Sequence, residues 1–252
     1  MTTSPEARSE TSDPAEDRPL PPDTVGLLEG ICSTRAIRRY LPEPVPDHVL
    51  RDLLFAASRA PSGSNRQPFR FLVLTDGPKA AEAKALMAAG ARRAWDTKRS
   101  TDRYDEGSGA DRTSRKASMA RTMEAYVEHL DRVPVLILAC LIRYRGPNPV
   151  EGASVYPACQ NLLLAARALG YGGVMTTWHF AVEAELRSLL QIPDDTTIMA
   201  TITLGRPVGS HGPVRRRPMS ELVYGERWGE APAWAADPTG VQHTAAGPPP
   251  AP

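Results

Sequence analysis

The spacing of apolar residues predicts six helices along the middle of the chain. Between residues 46 and 60, apolar side chains recur at steps of three and four, which predicts an amphipathic helix that ends before Pro61. The same spacing over residues 154–169 stops at Gly170, so a central helix with a long apolar face is expected there. Shorter helices are expected over residues 24–33, 79–91, 121–130 and 182–190.

Four shorter apolar runs predict β-strands, at residues 69–74, 133–140, 172–177 and 197–204. The run 133–140 is apolar throughout, which is typical of a strand that is buried on both faces. Residues 92–119 are charged, contain glycine and show little periodicity. We therefore expect a loop or a mobile cover there.

Both ends of the chain differ in composition from the middle. Residues 1–23 are rich in Pro, Ser, Thr and acidic residues and contain no apolar run of the signal-peptide kind, which predicts a disordered N-terminal tail. Residues 231–252 are mostly Ala, Pro and Gly, which predicts a flexible C-terminal tail. One folded domain is expected between them, over residues 24–230.

Charge and cysteine usage exclude several classes of protein. The formal net charge of the 252 residues is only +1, which argues against nucleic acid as the main partner. The three cysteines form no CxxC pair, so neither a disulfide framework nor a zinc cluster is indicated. The longest apolar stretch is about half of what a membrane-spanning helix requires. A cytoplasmic protein without a membrane segment is expected.

The common cofactor and hydrolase motifs are missing from the sequence. It contains no GxGxxG, no GxxxxGK[ST], no HExxH and no GxSxG. Two arginine strings, at residues 35–39 and 215–217, and a polar loop at residues 61–68 remain as candidates for binding an anionic, planar cofactor. From the residues alone, solvated surface charges and an ordinary turn are the more common explanation of these features.

Two motifs, with their order and spacing, resemble the opening of the nitroreductase family. They are TRAIRRY at residues 34–40 and APSGSNRQPF at residues 60–69. The resemblance extends over roughly residues 25–229. It implies an α+β fold in which helices surround a mostly antiparallel central sheet, and an intertwined homodimer with FMN bound at the interface.

The resemblance also implies which residues contact FMN. Arg35 would face the phosphate, and Arg38 would lie near the pyrimidine edge or the ribityl phosphate, where positive charge stabilises reduced flavin. Arg216 would close around the phosphate. The implied cofactor-binding set is Thr34, Arg35, Ala36, Arg38 and Arg216, with Met175, Thr176 and Thr177 near the ring and Ser62, Gly63 and Ser64 in the loop that reaches in from the partner subunit.

The first motif departs from the family pattern at two positions. Thr34 and Ala36 stand where the family often has an arginine and a serine, which reduces the number of phosphate contacts there. Arg215 and Arg217 either compensate for this or form a solvated basic patch. We expect Trp95, Tyr104 and His179 to line the substrate pocket, although packing between helices would equally explain the two aromatic residues.

The activity implied by the resemblance is hydride transfer from NAD(P)H through FMN to a nitroaromatic, quinone or similar small acceptor. Ping-pong kinetics are expected, with no dedicated catalytic acid or base and no metal. Flavin fragmentation and reductive dehalogenation of aromatic substrates are alternatives on the same scaffold. For dehalogenation, relatives use a Glu, Tyr and Lys set, and Glu106, Tyr104 and Lys116 lie near one another in the sequence. A non-catalytic flavin-binding or storage protein is an alternative of a different class.

Overall fold

The computed structural model describes residues 20–244, which fold around a four-stranded sheet. The strands are β1 (Phe69–Leu74), β2 (Val135–Ile142), β3 (Gly172–Thr176) and β4 (Thr196–Gly205). Their spatial order is β1-β2-β4-β3, and all three pairings are antiparallel. The predicted α+β class and the antiparallel sheet are therefore confirmed.

The central strand β2 is buried on both faces, as its uninterrupted apolar run predicts. Alternate residues point to opposite sides of a strand. Val135, Ile137, Ala139 and Leu141 accordingly belong to one hydrophobic core, whereas Leu136, Leu138 and Cys140 belong to a second. The sheet thus separates two cores and forms the middle layer of three.

Within residues 20–244, six α-helices provide the outer layers: α1 (Leu27–Ser33), α2 (Asp47–Ser58), α3 (Pro78–Thr101), α4 (Arg115–Glu128), α5 (Tyr156–Ala168) and α6 (Glu183–Leu190). Helices α2 and α5 contribute their apolar residues to the first core, and α3, α4 and α6 to the second. The predicted central helix is α5, in which Cys159, Leu162 and Ala166 are fully buried. Its spacing of three and four residues places these side chains on one face.

The predicted loop or cover over residues 92–119 is wrong for most of its length. Helix α3 continues to Thr101, and α4 already begins at Arg115, where the Ser114 hydroxyl accepts a hydrogen bond from the Ala117 amide at 3.1 Å. Arginine, lysine and alanine are good helix formers even where most of the surface is solvated. One apolar anchor per turn, Ala91 and then Trp95, holds the extension against the core.

The structure describes only parts of the two predicted tails. Residues 1–19 and 245–252 lie outside the described residues. The part of the C-terminal segment from residue 231 to 244 contacts the domain: Ala235 is buried, the Asp237 carboxylate accepts a hydrogen bond from the Met219 amide, and His243 pairs with Arg216 in a β-bridge. Within residues 20–244, no helix combines the length and apolarity needed to cross a membrane.

Candidate cofactor-binding site

The first arginine string runs along the outer edge of β3. The Ile37 amide donates a hydrogen bond to the Gly173 carbonyl at 3.0 Å, and the Val208 amide donates to the Arg39 carbonyl at 3.0 Å. The approach at Gly172 is close, because a Cβ atom there would lie 2.6 Å from Cγ1 of Ile37. Glycine at residue 172 therefore lets the arginine segment pack onto the sheet edge.

Five arginines converge on one cleft of about 780 Å³, which we call the arginine cleft. Arg35 and Arg38 come from the segment beside β3, Arg115 from the first turn of α4, and Arg215 and Arg216 from the segment after β4. The other lining residues are Ala36, Ser118, Met119, Thr122, Pro213, Val214 and Gln242. Three segments that are far apart in sequence thus concentrate positive charge in a chain that is almost neutral overall.

The positive charge of the arginine cleft is not neutralised by acidic side chains. Arg143, Arg206 and Arg217 each form an ion pair elsewhere, but among the described residues none of the five cleft arginines pairs with a carboxylate. Nε of Arg38 is buried without a hydrogen-bond partner. Burial also lowers the pKa of Arg38 from its ordinary value, since desolvation disfavours the charged form. An anion with several oxygen acceptors fits this arrangement.

A buried hydroxyl network lies beside Arg38. The phenols of Tyr40 and Tyr126 both contact the Thr203 hydroxyl of β4, each at 2.8 Å. Burial raises the pKa of Tyr126 to about 12 and that of Tyr40 well above its ordinary value. Both phenols therefore stay neutral at physiological pH, and the network holds the wall behind Arg38 without adding negative charge.

The end of β3 lies next to this segment. Met175 is two residues beyond Gly173, which bonds to Ile37, and its side chain is 41% exposed. The Thr176 hydroxyl is hydrogen bonded to the Thr201 hydroxyl at 2.8 Å. Thr177 is exposed, and within residues 20–244 its hydroxyl makes no hydrogen bond. Of the two threonines, only Thr177 has a side chain free to bind a ligand.

The polar loop before β1 has an unusual backbone. Ser64, Asn65 and Gln67 have φ values of 53°, 52° and 49°, in the left-handed region that L-residues rarely adopt. The Ser62 hydroxyl accepts a hydrogen bond from the Gln67 amide at 2.9 Å, and the Gly63 amide donates to the Ser154 hydroxyl at 3.3 Å. Such backbone conformations cost free energy and persist only where the surrounding structure maintains them. They are concentrated at functional sites.

A second cleft, of about 370 Å³, adjoins this loop, and we call it the loop cleft. Its walls are the loop itself, the segment after β2 and the residues before α5. The lining residues are Pro61, Ser62, Gly63, Arg66, Pro68, Leu141, Ile142, Arg143, Tyr144, Arg145, Val150, Glu151, Ala153 and Ser154. None of them lines the arginine cleft.

The two clefts lie at opposite edges of the sheet. The loop cleft adjoins β1, and the arginine segment runs along β3. In the order β1-β2-β4-β3 these edges are three strand spacings apart, about 14 Å at ~4.8 Å per spacing. One small ligand therefore does not contact both sets of residues within one chain.

Two of the three residues expected to line the substrate pocket are buried in the core. Trp95 is 2% exposed and packs against the Tyr104 ring with a centroid separation of 5.1 Å. His179 is fully buried, its Nε2 is 2.9 Å from the Ile198 carbonyl oxygen, and burial lowers its pKa. Trp95 and His179 are thus closed to solvent within residues 20–244, and Tyr104 is partly buried against the same core.

Thr34 also has a role that differs from the prediction. It does not line the arginine cleft, and its hydroxyl donates to the Gly30 carbonyl at the end of α1, at 2.6 Å. Predicted residues that do line a cleft are Arg35, Ala36, Arg38 and Arg216 in the arginine cleft and Ser62 and Gly63 in the loop cleft. Ser64, which follows Gly63 in the same loop, is exposed and lines neither cleft.

Sequence reasoning missed the part of the arginine cleft that α4 supplies. Arg115, Ser118, Met119 and Thr122 follow helical spacing and therefore share one face. That spacing is a usable signal, but it becomes visible only when α4 is known to begin at residue 115. The loop cleft contains two more residues that were not singled out, Tyr144 and Arg145.

Comparisons with known proteins identify relatives in sequence and in fold. The chain is 30% identical over 195 residues to an NADH dehydrogenase of Thermus thermophilus, covering 75% of this chain and 90% of that protein. It is 27% identical over 183 residues to the iodotyrosine deiodinase of Danio rerio, covering 69% of this chain and 57% of the deiodinase. A crystal structure from Desulfovibrio desulfuricans, in complex with FMN, superposes with a TM-score of 0.58 at 30% identity, covering 80% and 97% of the two chains.

A family model assigns the chain directly. The model described as "Nitroreductase family" matches residues 31–206, a range that includes all four strands, the strained loop and the arginines beside β3. The match covers well over half of the chain. The protein therefore belongs to the nitroreductase family.

Proposed function

We propose that this protein is an FMN-dependent oxidoreductase that uses NAD(P)H to reduce a nitroaromatic, a quinone or a similar small acceptor. The observation that carries the proposal is the arginine cleft, where five guanidinium groups, none of them paired with a carboxylate among the described residues, line one cavity. The FMN complex of the Desulfovibrio relative supports the same cofactor. FMN, when bound, accepts a hydride from NAD(P)H and passes the electrons on to the acceptor.

In this proposal, different residues of the chain contact different parts of the cofactor. Arg35, Arg115 and Arg216 supply charged donors for the phosphate. Arg38, whose Nε has no other partner, stabilises negative charge that develops on the ring system. The exposed Thr177 offers its hydroxyl and amide at the end of β3, next to Met175.

The test is an anaerobic absorbance experiment on the purified protein. The protein is mixed with FMN, desalted, and titrated with NADH and then NADPH. Retained flavin absorbance that bleaches with either nucleotide is the expected result. Flavin that is retained but not bleached would instead support the storage alternative, and loss of the flavin on desalting would overturn the proposal.

We further propose that the site is completed by a second copy of the chain. The loop cleft and the arginine cleft lie at opposite edges of the sheet, so a ligand that contacts both must lie between two protomers. An exposed apolar surface is available for this contact. Leu27 and Leu28 of α1 are 69% and 77% exposed, and Ile31 and Phe55 continue the surface.

Light scattering tests the homodimer. The expected mass is that of two chains, and the double variant Leu27→Glu, Leu28→Glu should shift the mass toward one chain and lose FMN at the same time. The matched control is Glu128→Gln, an exposed change at the end of α4. A wild-type mass of one chain with FMN retained would refute the shared site.

Reductive dehalogenation of an aromatic substrate is the second candidate. It is favoured by the deiodinase relative and by one contact, in which Nζ of Lys116 lies 5.8 Å from the centroid of the Tyr104 ring. However, Lys116 and Glu106 already have partners within the chain. Nζ of Lys116 donates to the Arg103 carbonyl at 2.6 Å, and the Glu106 carboxylate lies 3.8 Å from Nε of Arg103. Release of iodide from 3-iodotyrosine by the reduced, FMN-loaded protein would establish this activity.

A further inference from the structure

Two arginines of the loop cleft are held against one aromatic ring. The guanidinium carbon of Arg66 lies 4.6 Å from the centroid of the Tyr144 ring, and that of Arg145 lies 5.2 Å from it. Cation–π contact orients a guanidinium group while leaving its N–H donors available. Among the described residues, neither arginine forms an ion pair or a side-chain hydrogen bond.

The surroundings of these arginines are fixed by stronger contacts. Arg143 forms a bidentate ion pair with Glu151, with Nε and Nη2 of the arginine at 3.1 and 2.9 Å from the carboxylate oxygens. The Arg143 amide also donates to the Asp195 carbonyl at 2.7 Å, which ties the segment to the turn before β4. On the other wall, Nη1 of Arg70 donates to the carbonyls of Gln67 and Phe69 and holds the strained loop that carries Arg66.

The charge balance of the cleft is positive. Among the described residues, Glu151 is the only acidic one that lines this cleft, and Arg143 neutralises it, so the charges of Arg66 and Arg145 remain. Both guanidinium groups lie near the same ring and carry like charges, so an anion that contacts them reduces their mutual repulsion. The apolar remainder of the wall, which includes Pro61, Val150 and Ala153, suits a flat hydrocarbon ring.

We propose that the loop cleft selects electron acceptors that carry a carboxylate on an aromatic ring, with Arg66 and Arg145 binding the carboxylate beside Tyr144. This inference rests on the proposed function, because Ser62 and Gly63 in the same cleft belong to the loop assigned to the cofactor. It adds a substrate class and two specificity residues to that function. Tyr144, which is 57% exposed, presents ring surface next to the bound acceptor.

The first experiment compares two acceptors of the same shape. kcat/KM is measured for 4-nitrobenzoate and for the neutral 4-nitrobenzamide with the FMN-loaded protein. Arg66→Gln and Arg145→Gln should each lower the preference for the anion about tenfold, as expected for the loss of one charged hydrogen bond, and leave the amide unaffected. Arg132→Gln, an exposed arginine that lines neither cleft, is the control. An unchanged preference, or an equal loss for both acceptors, would overturn the proposal.

A second measurement tests whether Arg66 and Arg145 bind the carboxylate of the acceptor or the 2′-phosphate of NADPH. KM for NADPH and NADH is determined with the same variants. If the variants change the ratio of the two nucleotides and leave the acceptor preference intact, then the arginines bind the 2′-phosphate of the donor, and the proposal is wrong. An unchanged nucleotide ratio together with a reduced acceptor preference supports it.

A binding experiment separates this proposal from the proposed function. Saturation-transfer NMR reports contact of benzoate and of benzamide with the protein, and neither ligand is reduced. Binding of benzoate that exceeds binding of benzamide and is lost in Arg66→Gln supports the carboxylate site even if FMN is not retained on desalting. Equal binding of the two ligands refutes the carboxylate site even if the flavin is retained and bleached.

Discussion

The arginine cleft contains five cationic side chains and the loop cleft three, and the surroundings of these charges differ between the two clefts. In the arginine cleft five guanidinium groups converge without acidic partners, and one buried Nε has no acceptor. In the loop cleft one of the three arginines is committed to Glu151, and the other two lie against an aromatic ring. The arginine cleft therefore keeps a positive charge that no acidic side chain among the described residues compensates, whereas part of the charge of the loop cleft is compensated by Glu151.

The largest expected effect lies in the arginine cleft. The double variant Arg38→Gln, Arg216→Gln should weaken FMN binding by about 3–4 kcal/mol, several hundredfold or more in Kd, because two charged donors are lost. FMN fluorescence quenching measures the change. The control is Arg66→Gln in the loop cleft, for which we expect a change of less than about fivefold. If Arg66→Gln weakened FMN binding as much as the double variant does, the two clefts would not differ in their contribution to FMN binding.

The hydroxyl network behind Arg38 should contribute mainly to stability. Thr203→Val keeps the shape of the side chain but removes the hydroxyl that contacts both Tyr40 and Tyr126. We expect the free energy of unfolding to fall by about 2 kcal/mol, since buried phenols lose a partner. Urea denaturation measures this. Thr122→Val, at a partly exposed position of the arginine cleft, should change stability by less than about 0.5 kcal/mol.

Substitutions of Ser64 should test the left-handed backbone conformation of the strained loop. Ser64 has φ 53° and ψ 26°, so Ser64→Val should destabilise the fold by roughly 1–2 kcal/mol, while Ser64→Gly should be close to neutral. Thermal unfolding of the two variants measures the difference. If valine is tolerated as well as glycine, the loop is not held in the left-handed conformation.

The smallest expected effect concerns pH and the ion pair of the loop cleft. The hydrogen bonds from Arg143 lower the pKa of Glu151, so the carboxylate binds its proton less readily in the folded state than in the unfolded state. The pair therefore stabilises the fold above the unfolded pKa of Glu151, and this contribution is lost as the pH falls through the lower, folded pKa. Both side chains are partly exposed, and solvent limits the contribution to about 0.5–1 kcal/mol.

Unfolding curves between neutral pH and the acid range test this point. Glu151→Gln should be less stable than the wild type at pH 7, and the difference should shrink as the pH is lowered. A difference that stays constant with pH would show that charge on Glu151 does not contribute. Glu128→Gln is the control, an exposed carboxylate outside the loop cleft that forms no ion pair among the described residues.

Local spacing was sufficient for most of the helices and strands and insufficient for the site. The strand at residues 69–74, the helix that ends before Pro61 and the buried run of β2 follow from periodicity because each depends on neighbours within a few residues. The extension of α3 to Thr101 was missed because a charged, solvated helix has little apolar periodicity. That error also concealed the start of α4, and with it Arg115.

The sequence by itself determined the order of helices and strands, the family and the two motifs from which cofactor contacts are predicted. Only the tertiary structure decided that Arg38, Arg115 and Arg216 share one cleft, that His179 and Trp95 belong to the core, and that Ser62 lies at the opposite edge of the sheet from Arg35. The physical reason is that secondary structure depends on residues a few positions apart. Burial and the meeting of charges depend instead on how segments that are far apart in sequence pack across the sheet.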